Sequence, residues 1–155
     1  MALLQVHDAI VRDALGAWGG REVKHTGDGI MACFLSAVAA ARCATQDPAC
    51  VGSARAREQR LPVKVRIGAA AGEPVENHLD LFGSTVQLAA RLCSHAQPEQ
   101  SLVSNVVAEL CIGKGLAFRT SEKFHSRASI ARSECTLSNS PEKRRRIEAY
   151  LSRYL

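Results

Sequence analysis

The chain has 155 residues, 46% of them apolar and 23% charged, the composition of one ordinary globular domain of about 100–200 residues. No apolar run reaches the ~18 residues of a membrane-crossing helix, and the opening MALLQVHDAIVRDAL carries Asp8, Arg12 and Asp13 with no basic leader, so a cytoplasmic domain with neither membrane segment nor signal peptide is expected. The net charge of +5 is uneven: residues 1–118 hold 11 basic and 11 acidic side chains, residues 119–155 hold 9 and 4, and a uniformly basic nucleic-acid surface is excluded.

Val6, Ile10, Ala14 and Trp18 recur every four positions and predict an amphipathic helix over 3–18, stopped by Gly19-Gly20. The alternating REVKHT, a Gly27-Asp28-Gly29 turn and the apolar IMACFL read as a hairpin. Ser36 is placed to cap the alanine-rich helix SAVAAARCATQ. In LPVKVRIGAAAGE, Val63, Val65 and Ile67 alternate with Lys64 and Arg66 as in a half-buried strand. EPVENHLDLF reads as a loop, residues 83–96 as a helix, QSLVS as a strand, NVVAELC as a short helix, and GLAF as the start of another strand. Beyond Phe118 the Ser/Arg-rich stretch shows no sustained period and reads as a poorly ordered tail, with one terminal helix over 141–155. Two units are therefore expected: residues 1–118 as an α+β domain and 119–155 as a basic tail. The six cysteines form no Cys-x-x-Cys pair and read as reduced thiols packed as small hydrophobes.

Asp28, pinned between two glycines, is placed to reach a metal ion bound to a phosphate, although Gly-Asp-Gly alone also reads as a plain turn. The segment Glu22-Val23-Lys24-His25-Thr26-Gly27-Asp28-Gly29 is followed by LPVKVRIGAAAGEPV, then by Asp80-Leu81-Phe82-Gly83-Ser84-Thr85-Val86-Gln87 and Leu88-Ala89-Ala90-Arg91. In this order and at these separations the blocks resemble the class III adenylate/guanylate cyclase catalytic domain from about residue 5 to Phe118. The resemblance implies a ferredoxin-like α+β domain that pairs head to tail. It also implies conversion of a nucleoside triphosphate to its 3′,5′-cyclic monophosphate and pyrophosphate, assisted by Mg2+ or Mn2+.

Position by position, the resemblance makes Asp28 a metal-binding aspartate and Lys24 with Asp80 the pair that reads the base. A lysine donates to adenine N1 while a carboxylate accepts from the N6 amino group, so this pair favours ATP; guanine presents the opposite pattern. Arg91 is the residue implied to stabilise the transition state at the α-phosphate. Gln87, one helical turn earlier on the same face, is implied to orient the ribose. His25 takes no role from the motif.

The chain departs from the family pattern in three places. It starts inside the family's opening helix, so the first strand, with its Phe-Thr-Asp-Ile-like motif and first metal aspartate, is not found. Gln87 stands where the family usually has Asn, and one extra methylene shifts the amide by more than about 1 Å, a misplacement that costs about 100-fold in rate. No Leu-Lys-Gly-like segment follows Phe118, and neither Lys123 nor Lys143 takes the place of its lysine. The expectation is a truncated cyclase domain with a non-homologous tail, impaired or inactive alone, and working as a homodimer or as a heterodimer with an intact cyclase. One alternative is a non-catalytic dimerisation partner that lends Lys24, Asp80 and Arg91 to a site whose metals sit on the other subunit. A second is a nucleic-acid or anionic-membrane contact through Lys143-Arg144-Arg145-Arg146, too few basic residues to be specific.

Overall fold

The computed structural model describes residues 2–27, 29–45, 64–78, 80–121 and 134–137. In chain order the elements are α1 (Ala2–Ala17), β1 (Arg21–His25), β2 (Ile30–Cys33), α2 (Ala37–Thr45), β3 (Ile67–Ala69), β4 (Val75–Asn77), β5 (Asp80–Phe82), α3 (Ser84–His95), β6 (Ser101–Ser104), α4 (Asn105–Leu110), β7 (Phe118–Ser121) and β8 (Glu134–Leu137). This is the expected α+β class. Helix α1 ends where Gly20 N–H donates back to Leu15 O at 2.8 Å. Ser36 caps α2, its Oγ accepting from Ala39 N–H at 3.3 Å.

The described strands form three sheets: the hairpin β1–β2, the hairpin β4–β5, and a four-stranded sheet in the order β3-β6-β8-β7. Strands β3 and β6 run parallel, with Gly68 beside Leu102, and the connection between them passes through α3. Strand β6 is buried along its whole length, and its two-residue period divides the core. Leu102 packs with Leu92, Ala96 and Leu88 of the α3 side. Its neighbour Val103 packs with Ala41 of α2, Val107 of α4 and Cys111. Ser101, on the same side of β6 as Val103, donates its hydroxyl to Ala44 O at 3.3 Å and ties in the end of α2.

Helix α3 lies so close to β3 that a Cβ on Gly68 would sit 2.2 Å from Ala89 O and 2.2 Å from Cys93 N. Only a residue without a side chain permits that approach. The opposite face of α3, which carries Gln87, Ala90, Arg91 and Ser94, is exposed. Among the described residues β2 pairs only with β1, and β3 only with β6.

Two expectations are corrected. EPVENHLDLF is not a loop: Val75, Glu76 and Asn77 pair antiparallel with Phe82, Leu81 and Asp80, turning through His78 at φ 48°. Nor does regular structure stop at Phe118. Strand β8 pairs antiparallel with β6 on one side (Leu102 beside Thr136) and with β7 on the other (Thr120 beside Cys135). Ladder bonds on both edges hold this segment in the sheet although it lacks an apolar period of its own. The expected terminal helix over 141–155 and the Lys143–Arg146 cluster lie outside the described residues. Cys33, Cys43, Cys93 and Cys111 are free thiols, and burial pushes those of Cys43 and Cys111 up.

Candidate functional site

Strand β1 carries Lys24. The β1–β2 register shifts between Glu22 and Lys24: Glu22 lies beside Ala32 and Lys24 beside Met31, so Val23 has no partner of its own. A bulge of this kind re-aims the side chain that follows it. Strand β5 opens with Asp80. Although 56 residues apart in sequence, Lys24 Nζ and Asp80 Oδ2 lie 2.5 Å apart. Leu81 N–H donates to the other carboxylate oxygen at 2.8 Å, and Lys24 Nζ stands 5.8 Å from the centre of the Phe82 ring.

The Lys24 hydrogen bond is the main reason the Asp80 carboxyl is held below its usual range, against a smaller opposing effect of desolvation. Both side chains remain open to solvent, 44% for Lys24 and 27% for Asp80. The pair can therefore present a donor and an acceptor side by side to an incoming group. A second link, Arg21 to Glu76 at 3.6 Å, also ties the β4–β5 hairpin to β1.

Gln87 and Arg91 lie on the exposed face of α3, which follows β5 through Gly83. Neither side chain makes a hydrogen bond or ion pair with the Lys24–Asp80 pair among the described residues. The structure thus joins Lys24 to Asp80, and sets Gln87 and Arg91 on the next element with their side chains open to solvent. Asp28 lies outside the described residues. Its neighbours are described: Thr26 N–H donates to Gly29 O at 2.8 Å, closing the β1–β2 turn, and Gly27 has a φ of 92° that suits glycine. No group of three or more His, Cys, Asp or Glu able to hold a metal ion occurs among the described residues. None of the described helices is long and apolar enough to cross a membrane.

Sequence reasoning gave no role to His25, Asp8 or Phe82. His25 Nε2 lies 3.0 Å from Asp8 Oδ2, and Gly27 N–H donates to His25 Nδ1 at 3.1 Å. Beside them Arg12 binds Glu22 through two hydrogen bonds of 2.7 and 3.1 Å, which hold α1 against β1. A four-residue spacing of Asp8 and Arg12 on α1, facing Glu22 and His25 on β1, was the available signal.

The model of the adenylate and guanylate cyclase catalytic domain matches residues 1–137. The chain belongs to this family. The match runs through β8, so the likeness extends past the composition break at Phe118. The putative adenylate cyclase 3 of Rhizobium meliloti is 29% identical over 88% of this chain and 24% of its own length. An adenylate cyclase of Streptomyces coelicolor is 33% identical over 69% of the chain and 27% of its own length. This cyclase domain thus spans about a quarter of the length of these relatives. Among solved structures, the adenylate/guanylate cyclase/hydrolase from Silicibacter pomeroyi has a TM-score of 0.65 at 28% identity, covering 84% of this chain and 78% of that one. A Trypanosoma brucei adenylate cyclase in its monomeric state shares the fold, with a TM-score of 0.71 at 19% identity, covering 89% of this chain and 78% of that one.

Proposed function

We propose that the domain is an adenine-directed member of the family that binds ATP and contributes to 3′,5′-cyclic AMP formation as half of a dimer. The observation that carries this reading is the ion pair between Lys24 and Asp80, two side chains brought together from strands 56 residues apart. A lysine donor beside a carboxylate acceptor matches the N1 and N6 edge of adenine. Guanine would leave both groups facing like partners, and unpaired polar groups in a bound complex discriminate strongly.

Arg91, open to solvent on α3, is the cation proposed to stabilise negative charge growing on the α-phosphate, and Gln87, one turn before it, the amide that orients the ribose. Asp28 is the carboxylate proposed for Mg2+ or Mn2+. Such an ion supplies charge neutralisation on the triphosphate when bound. In this reading selectivity and positioning are assigned to Lys24, Asp80, Gln87 and Arg91. Pairing with a second cyclase domain is supported by Val75 and Phe82, apolar cross-strand neighbours on the β4–β5 hairpin that are 65% and 48% exposed.

The test is cyclic AMP formation from Mn2+–ATP by the chain alone and after mixing with an intact homologue. Product from the chain alone, suppressed by Arg91→Ala, is the expected result for a homodimer. Product only from the mixture, lost when this chain carries Lys24→Ala, assigns it the role of a partner lending residues. No cyclic AMP from either, with no ATP bound, overturns the reading.

A further inference from the structure

His25 sits three residues before Asp28 and is bonded through both ring nitrogens. A backbone N–H can only donate, so the 3.1 Å bond from Gly27 requires Nδ1 to be an unprotonated acceptor. The proton of the neutral imidazole then resides on Nε2, where the Asp8 carboxylate accepts it at 3.0 Å. Asp8 comes from α1, 17 residues upstream, so the ring is clamped between the helix and the hairpin. Arg12 and Glu22, which bind each other next to it, fix the same helix on the same strand.

Gly27 is the residue the ring holds. It has a φ of 92°, and its N–H would otherwise have to be satisfied by water at the point where the turn begins. With Thr26 N–H bonded to Gly29 O, the His25 bond leaves the first half of the turn with both its amides engaged.

We propose that His25 is a positioning residue: in its Nε2–H tautomer, oriented by Asp8, it fixes the Gly27 amide, one residue before the candidate metal-binding Asp28 in sequence. The inference rests on the nucleotide-cyclase reading for its functional meaning, and on the two ring contacts for its geometry. Loosening such a turn would misplace the carboxylate, and misplacements of about 1 Å have large consequences for a bound, oriented ligand.

Two conservative variants separate the ring's two ends. In His25→Asn the amide oxygen falls near the Nδ1 position and retains an acceptor for Gly27. In His25→Gln the amide nitrogen falls near Nε2 and retains a donor to Asp8, but the acceptor for Gly27 is lost. The experiment measures three things on 15N-labelled chain: the imidazole nitrogen shifts of His25, hydrogen exchange at the Gly27 amide, and equilibrium binding of Mn2+–ATP. The expected result is an unprotonated Nδ1 and a protonated Nε2 in the parent. Gly27 exchange should be within about twofold of the parent in His25→Asn and about tenfold faster in His25→Gln, with Mn2+–ATP affinity following the same order. Melting temperatures that stay level across the three proteins show that the order is not one of stability. A protonated Nδ1, or His25→Gln matching the parent at Gly27, overturns the proposal. If the parent binds no Mn2+–ATP, alone or mixed with an intact homologue, the nucleotide-binding reading fails, while the tautomer and the Gly27 exchange order still decide the geometry.

Discussion

Around β6 the molecule is held by aliphatic packing: Val103, Val107 and Ala41 are essentially inaccessible, and Gly68 lets the backbone of α3 settle directly on β3. Around the β1–β2 and β4–β5 hairpins, Leu81 is the only strand residue among those described that is buried, and polar links do the joining: the ion pairs Arg12–Glu22, Arg21–Glu76 and Lys24–Asp80, and the hydrogen bond between His25 and Asp8. The first region has one close-packed arrangement and resists change, as interiors do. The second presents hydrated charged groups whose geometry a ligand can complete. All the proposed nucleotide-facing residues belong to the hairpins or to the exposed face of α3, so in the proposed function the packed half is the mount and the polar half the reader.

Substitutions can break this contrast in graded steps. The largest expected effect is that of Gly68→Ala, whose new methyl would meet α3 backbone that cannot rotate away; a loss of about 3 kcal/mol, measured by urea unfolding, is expected. Val103→Ala, which opens a cavity between β6 and the helices α2 and α4, should cost about 2 kcal/mol by the same measurement. Smaller again is an acid effect at the reader. Because Lys24 depresses the Asp80 carboxyl, the contribution of their link is fully present at neutral pH and is lost only as pH falls through a value below the usual 3.8. A 13C titration of Asp80 should therefore have its midpoint under 3.8, moving up in Lys24→Met. Least of all, Arg12→Ala should leave the thermal midpoint nearly where it was, since its pair with Glu22 is exposed and screened.

Legibility did not follow that division: the β1–β2 hairpin was expected from REVKHT and IMACFL, while β8 beside the buried β6 was not. Four-residue recurrence located α1, Ser36 marked the start of α2, and SLVS and NVVAEL gave β6 and α4 almost to the residue. The β4–β5 hairpin escaped because its strands are three residues long and turn through a non-glycine residue, His78, at positive φ. Strand β8 escaped because its stability comes from two neighbouring strands rather than from its own Ser-rich surroundings. For the site, Lys24 and Asp80 were readable as members of linked motif blocks, and the fold brings them into contact. His25 was not, because its partners are an aspartate on another element and a backbone amide, and neither leaves a mark at the histidine's own position.

Competition between ATP and GTP for the chain, measured by displacement of a fluorescent adenine nucleotide in the presence of Mn2+, tests the role of the Lys24–Asp80 pair most directly. ATP is expected to displace the probe at a concentration about tenfold or more below that of GTP, with the preference abolished in Asp80→Ala while the melting temperature holds. Equal displacement by the two nucleotides, or a preference that survives Asp80→Ala intact, would contradict it.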